Sequence, residues 1–495
     1  MLKKLRIILE IVFFTGITLM LLDFTGALHA WLGWMVKIQL LPAIMAVNVA
    51  VLAGLFVITL LFGRIYCSTV CPLGAYQDGI SHIAVATKRR RGNRKPFAFK
   101  KEKKILRYTL LVLTIAAFIA GLQYIVAILA PYSAWGRIVR NLFQPVYILF
   151  NNIFAGWAER AGSYAFYPKE ILAVSAVSLI VAVVTLILVT FLSAARGRTY
   201  CNSICPVGSL LSLVSRASMF RPVIDAEKCK SCRMCEHNCK SSCIDITNKK
   251  IDYSRCVDCF DCIGQCKFDA IHYRFAWKPR KKAASEGTDA GRRAFLTGSA
   301  LVVGSTVLNA QGRKKVDGGF ASLTPKIAPE RETPLTPPGS RSVKDFYNRC
   351  TACQLCIAEC PNGVLRPSSN LSRLMQPEMS YEKGYCRPEC TRCSELCPAG
   401  AITKITREEK TEYHIGTAHV NRDLCVTESG TRCGNCAKHC PVGAIMMVPI
   451  DPEDEESNRR PVVAEEICIG CGACENLCPS RPISAITVEG KEVHV

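Results

Sequence analysis

Apolar residues gather into a few long runs early in the chain and are scattered among polar residues later on. Four runs, roughly 6–25, 40–62, 106–130 and 170–192, stand out. An α-helix needs about 20 apolar residues to cross a bilayer core, so the pattern predicts four membrane spans. A fifth run, 138–157, is interrupted by Arg140, Asn141, Pro145, Asn151 and Asn152. Those residues predict an interfacial or re-entrant segment.

Two segments repeat. Residues 63–81 read GRIYCSTVCPLGAYQDGIS, and residues 197–215 read GRTYCNSICPVGSLLSLVS. Gly63, Arg64, Tyr66, Cys67, Cys71, Pro72, Gly74 and Ser81 recur as Gly197, Arg198, Tyr200, Cys201, Cys205, Pro206, Gly208 and Ser215. Each copy follows an apolar run, which predicts a duplicated helix pair ending in a cysteine loop, its halves related by a pseudo-two-fold axis. Basic residues orient the bundle. The stretch 63–104 carries eleven Lys and Arg, the loop 26–39 only Lys37, and 131–168 only Arg137, Arg140 and Arg160. Basic loops stay on the cytoplasmic side, so both cysteine loops are expected there. The basic run 88–91 reads as this topology signal, and no nucleic-acid partner is expected.

Composition then divides the chain. Residues 1–220 form the expected four-span membrane domain, and 221–277 a small cysteine-rich module. A basic tract and signal-like anchor occupy 278–311, a Pro-, Gly-, Ser- and Lys-rich linker 312–345, and a second cysteine-rich module 346–495. The net charge is 62 − 40 = +22. From residue 341 on there are 18 basic and 21 acidic residues, so the excess belongs to the first part. That suits an anchor with a positive inner face.

The 29 cysteines of this 495-residue chain carry the chemistry. Disulfide scaffolds are short secreted chains, whereas here most cysteines stand at ligand spacing. Cys229, Cys232, Cys235 and Cys239 follow C-x2-C-x2-C-x3-C, as do Cys256, Cys259, Cys262 and Cys266. This is the spacing of two-cluster bacterial ferredoxins, in which the fourth cysteine of each run ligates the other cluster. Three close thiolates cap three corners of an iron–sulfur cube, and the fourth corner is filled from elsewhere. The expected sets are therefore Cys229, Cys232, Cys235 and Cys266, and Cys256, Cys259, Cys262 and Cys239. Cys243, four residues after Cys239, is the alternative fourth ligand.

Four more runs follow: Cys350, Cys353, Cys356, Cys360; Cys386, Cys390, Cys393, Cys397; Cys425, Cys433, Cys436, Cys440; and Cys468, Cys471, Cys474, Cys478. Each ends in Cys-Pro. The first and last have regular spacing and the middle two irregular first gaps. That nesting predicts exchange of fourth ligands between the first and fourth runs and between the second and third; pairing of neighbours is the alternative. Structural zinc also takes four thiolates, but clustered triplets, with a distal Cys-Pro in all runs except those ending at Cys239 and Cys266, favour [4Fe–4S], six in all. Cys67, Cys71, Cys201 and Cys205 remain, with Cys243. If the two halves pack together, the four C-x3-C-P thiols converge on one site, open to a [4Fe–4S] cluster, another metal, a redox dithiol or a purely structural turn.

Other cofactors find no support. There is no C-x-x-C-H for c-type haem, and no G-x-G-x-x-G opening a helix. Glu10 and Asp23, near the ends of the first span, are functional candidates by default but read as wetted helix ends. Arg64, Arg198, Tyr66 and Tyr200 read as interface anchors, and no catalytic residue is assigned. Arg292-Arg293-Ala294-Phe295-Leu296 precedes a modest apolar run, 294–310. It looks like a twin-arginine export signal, with a poor cleavage site, hence an uncleaved anchor and a periplasmic C-terminal module.

On these motifs, residues 1–275 resemble the NapH-type membrane ferredoxins of periplasmic nitrate reductase systems. Residues 290–495 resemble NapG- or MauM-type ferredoxins, with a twin-arginine signal and four [4Fe–4S] motifs. The chain looks like a fusion of the two. The resemblance implies a multi-pass protein of the bacterial inner membrane, a quinol dehydrogenase component passing electrons from the quinol pool to a periplasmic reductase or cytochrome. A redox maturation factor for a partner metalloenzyme is the alternative. The expected fold class is a membrane α-helical bundle with a pseudo-two-fold repeat plus α+β ferredoxin-like modules. Clusters on opposite faces of a ~30 Å insulating core need an intermediate. A mobile quinone or the C-x3-C-P site is the candidate.

Overall fold

The computed structural model describes residues 2–90, 92, 97–162, 167–169, 175–276, 324–454 and 457–494. The twin-arginine segment 292–296 and the apolar run 294–310 lie outside the described residues.

The first part of the chain is helical: α1 (Leu2–Leu22), α2 (His29–Lys37), α3 (Leu40–Met45), α4 (Val49–Phe62), α5 (Tyr66–Thr69), α6 (Pro72–Arg90), α7 (Lys104–Ile119), α8 (Gln123–Leu129), α9 (Pro131–Ile138), a π-turn (Val139–Phe143), α10 (Gln144–Arg160), α11 (Ala176–Arg196), α12 (Thr199–Ser203) and α13 (Pro206–Ser215). Among the described residues, α1 and α11 are long and apolar enough to cross a membrane. Two of the four expected spans are broken. The run 40–62 is split where Asn48 caps α4, its side chain accepting from the Val51 amide, because an Asn carbonyl satisfies an orphan helical N–H. The run 106–130 is split at Gly121, whose φ of 76° ends α7. The segment 138–157, expected to be interfacial or re-entrant, is helical through α10.

The repeat is visible as two helix–turn–helix units, α4–α5–α6 and α11–α12–α13. The cysteine turn lies between two helices rather than at the end of a pair. Gly63 and Gly197 close the first helix of each unit at φ 74° and 66°, a left-handed bend that costs an L side chain about 1–2 kcal/mol. Pro72 and Pro206 start the next helix, where a missing N–H leaves nothing unsatisfied.

The cysteine-rich modules are built from short antiparallel pairs. In the first, β1 (Phe220–Ile224) is paired along its length with β4 (Ile271–Phe275), and β2 (Ile244–Asp245) with β3 (Lys250–Ile251). In the second, β5 (Leu365–Pro367) pairs with β6 (Pro377–Met379), β7 (Gly416–Val420) with β10 (Ile486–Gly490), and β8 (Ile445–Pro449) with β9 (Arg459–Val463). The second module starts well before residue 346. Leu335, Thr336 and Ser340 are buried, Thr333 donates its amide to Glu489, and Arg331 pairs with Glu475 at 2.7 Å. The expected linker 312–345 is thus integrated into the module from about Lys326 on, whose ammonium bonds the Glu475 and Asn476 carbonyls.

The modules dock at opposite ends of α1. At its start, Lys3 pairs with Asp261 of the first module at 2.8 Å. Just beyond its end, the Phe24 carbonyl accepts from Arg392 of the second. With 21 residues at 1.5 Å each, α1 separates those contacts by about 30 Å.

Candidate metal centres

Six thiol sets form in the two modules. Each regular run places two residues in left-handed backbone at the same offsets: Ser231 and Arg233, Asp258 and Phe260, Ala352 and Gln354, Gly470 and Gly472. Six of the eight carry side chains, so the strain is held by the surrounding fold. The conformation curls each loop so that three cysteines face one centre.

In the first module, Cys229, Cys232, Cys235 and Cys266 line one pocket with Ile224, Ile246, Phe268 and Ile271 (site A). Cys262 faces Cys259, Cys256 and Cys239 (site B), and beyond them Cys235 of site A. The expected exchange of fourth ligands is what this geometry brings together. Cys243 lies 3.5 Å from Cys239. Its hydrogen bond holds the Cys239 thiol down at about 7 against the effect of burial, while Cys243 itself is raised by its bonds to Cys239 and Cys256. Both sulfurs thus stand beside the Cys256 set, and Cys239 and Cys243 are the two candidates for its fourth ligand.

In the second module the nested exchange fails, and neighbours pair. Cys350, Cys353 and Cys356 face Cys397 (site C). Cys386, Cys390 and Cys393 share a pocket with Cys360 (site D). Cys468, Cys471 and Cys474 close around Cys440 (site E), and Cys425, Cys433 and Cys436 around Cys478 (site F). Successive runs fold against one another as in a single two-cluster unit, so contact order rather than spacing irregularity decides the partner. The sites run in series. Cys356 faces Cys393, the Cys386 amide donates to the Cys471 carbonyl at 2.9 Å, and Cys474 faces Cys436.

Among the described residues no three His, Cys, Asp or Glu side chains approach as a single ion would require. Tetrahedral zinc would draw its thiolates to within about 4 Å of each other; a cube holds them further apart. Burial pushes the Cys235 and Cys471 thiols up to about 12, so cluster binding at these sites has to displace protons. The residues fit [4Fe–4S] clusters, which would supply one-electron redox chemistry.

The four C-x3-C-P cysteines are buried at 3–4% exposure. Cys71 faces Cys201 and Cys67, and Cys205 faces Cys201, Cys71 and Cys67, so both halves contribute to one group. Arg64 and Arg198, expected as interface anchors, are fully buried. Each arginine bonds the cysteine carbonyl of the other half: Arg64 Nη2 to Cys201 at 3.2 Å, and Arg198 Nη1 to Cys67. They also receive the first module. The Arg64 amide donates to Asp258 at 3.0 Å and the Arg198 amide to the Lys240 carbonyl at 2.8 Å. A Cβ on Gly63 or Gly197 would strike these same partners at 2.2 Å. Glu10 is not a wetted helix end. It is buried and pairs with Arg6 at 3.1 Å, and Arg6, Arg198 and Lys240 all converge on Asp78. Asp23 is buried as well, accepting from the Thr25 and Leu28 amides in a turn.

Family models match these regions. One described as a 4Fe-4S binding domain matches residues 44–94 and 175–224, the two C-x3-C-P units. One described as a 4Fe-4S dicluster domain matches 430–481, across sites E and F. The methylamine utilization ferredoxin-type protein MauM of Methylobacillus flagellatus is 31% identical over 166 residues, 32% of this chain and 70% of that protein. The chain belongs to the MauM-type ferredoxin family. It is an iron–sulfur electron-transfer protein, homologous also to the ferredoxin-type proteins NapF and NapG of Escherichia coli. Two uncharacterized proteins of Methanocaldococcus jannaschii extend the likeness. MJ0750 is 26% identical over 56% of this chain and 97% of its own length. MJ0749 is 43% identical over 17% of this chain, which spans only 33% of that relative.

Proposed function

We propose that this MauM-type ferredoxin is embedded in the bacterial inner membrane as a NapH-like domain fused to a NapG-like one. In this reading it holds six [4Fe–4S] clusters at sites A to F, takes electrons from quinol, and passes them to a periplasmic reductase or cytochrome. The observation that carries the reading is the serial arrangement: two strings of thiol sets, A–B and C–F, whose inner members both abut the helical domain. The membrane location is supported by the outward faces of the helices. Ile8, Val12, Val112, Phe150, Val184, Ile187 and Phe191 are all exposed, a wide apolar surface of the kind that marks membrane or partner contact. Docking of the modules about 30 Å apart along α1 supports their lying on opposite faces. Export of the second module is assigned to the twin-arginine motif at Arg292-Arg293.

The test is quinol-driven reduction of the purified full chain in lipid, followed by low-temperature EPR. Addition of a menaquinol or ubiquinol analogue should generate reduced-cluster signals. Cys350→Ala should abolish reduction of sites D to F, because site C is their entry point. Normal reduction of those sites in the variant would sink the proposed route.

A further inference from the structure

We propose that Cys67, Cys71, Cys201 and Cys205 together hold a seventh iron–sulfur cluster, and that this cluster is the link by which electrons pass between the two strings of ferredoxin sites. The inference rests on the electron-transfer reading above and supplies the connection that reading requires.

The first argument is the donor set. Four thiols from two different halves converge in a buried space. Two cations are supplied with them. Arg64 reaches to 3.8 Å from Cys67 Sγ, and Arg198 lies beside Cys201. Four thiolates around an iron–sulfur cube carry net negative charge, and a buried charge is tolerable only when paired. Further donors are turned to the sulfurs: Gln77 Nε2 lies 3.2 Å from Cys201 Sγ and the Gly208 amide 3.4 Å from Cys205 Sγ. Hydrogen bonds to the sulfurs are a lever on cluster potential. Arg198 pairs with Asp78 at 2.6 Å, while Arg64 bonds only neutral oxygens of Asn202, Ser254 and Cys201, so the Arg64 guanidinium bonds no carboxylate; Arg198 Nη2 and Arg64 Nε are buried without partners. All four cysteines are free rather than disulfide-bonded.

The second argument is position. One continuous apolar core contains Cys67, Cys71 and Cys205, reaches Val257 and Cys259 of site B on one side, and Cys353 of site C on the other. On the site B side, Arg64 and Arg198 clasp residues 258 and 240, each adjoining a ligand cysteine. On the site C side, Tyr200 donates to the Leu129 carbonyl at 3.0 Å, and the buried Arg137 feels both Tyr200 and Cys353. Helix α9 approaches so closely that a Cβ on Gly136 would lie 2.4 Å from the Cys353 carbonyl oxygen. The four thiols are thus the group of ligands standing between B and C in the packed interior.

The step is a one-electron transfer. The cluster on one side is oxidised by one electron, the seventh is reduced and then reoxidised by the next, and no bond or proton need change hands. Quinol is the reductant that the proposed function names.

The experiment uses the full chain purified without oxygen. Seven clusters occupy every cysteine but Cys243, so iron and acid-labile sulfide should each reach about 28 per chain, against about 24 for six. Cys67→Ala/Cys201→Ala should lose about four of each while keeping the EPR signals of sites A to F, which shows that the chain still folds. In that variant, photoreduction of site B should no longer reduce site C. Wild-type protein with about 24 iron atoms, or a variant with undiminished iron, overturns the proposal. A full count of about 28 with no quinol-driven reduction leaves the seventh cluster standing and removes the quinol reading instead.

Discussion

At the residue scale, the neighbouring thiols Cys239 and Cys243 divide two roles that spacing alone left open. The two sulfurs lie 3.5 Å apart beside Cys256, and the proposed assignment is Cys239 as ligand with Cys243 as a hydrogen-bond donor to it. Cys239→Ala should therefore lose about four iron atoms per chain. Cys243→Ala should keep its iron and shift only the midpoint potential of one cluster, measured by redox-poised EPR. Equal iron loss in both variants would reject the division. Arg64 and Arg198 show what the sequence hid. Their recurrence beside Gly63 and Gly197 was legible, but an arginine at a helix end is ordinarily a surface anchor. Only packing of one half on the other, and of the first module on both, takes them to full burial.

At the element scale, runs of apolar residues foretold helices but not their interruptions. Asn48 and Gly121 are the breaks, and both belong to residue types that end or cap helices. The cysteine loops were legible as triplets of neighbouring thiols because three close cysteines depend only on local backbone. Their partnership was not legible, since it depends on which loops pack together. The irregular gaps at Cys386–Cys390 and Cys425–Cys433 pointed to the wrong pairing, because extra loop residues change the path of the chain and not its neighbour. Helix α9 offers a test of docking. Gly136→Val should force the helix from the 350–353 loop, at about 1–3 kcal/mol of overpacking. Limited proteolysis should then release the second module faster, with iron content unchanged. Unaltered proteolysis would mean that the contact does not hold the module.

At the scale of the whole molecule, the two modules sit at the two ends of α1, and the proposed membrane placement puts them on opposite sides. A reporter fused after Val495 should give a periplasmic signal that disappears in a strain lacking twin-arginine export. A cytoplasmic signal in both strains would place both strings of sites on one face and redirect the search to a cytoplasmic partner. Composition marked the Pro-rich stretch 312–345 as a flexible linker, and its described part packs instead. Prolines without amide donors lie readily along a surface, and here Arg331, Thr333 and Leu335 fasten that stretch onto the sheet formed by β7 and β10.

The crossed arginines have a consequence for how the protein is made. The Cys67 carbonyl is held by Arg198 and the Cys201 carbonyl by Arg64, and both arginines are sealed by the module that follows. During synthesis the first turn must therefore wait, half-built, for more than a hundred residues to be added before its clasp arrives. Anything destined for the interior has only the interval between the closing of the two turns and the arrival of residue 258 in which to enter. A ribosome stalled between those points would display the open pocket to the machinery that fills it.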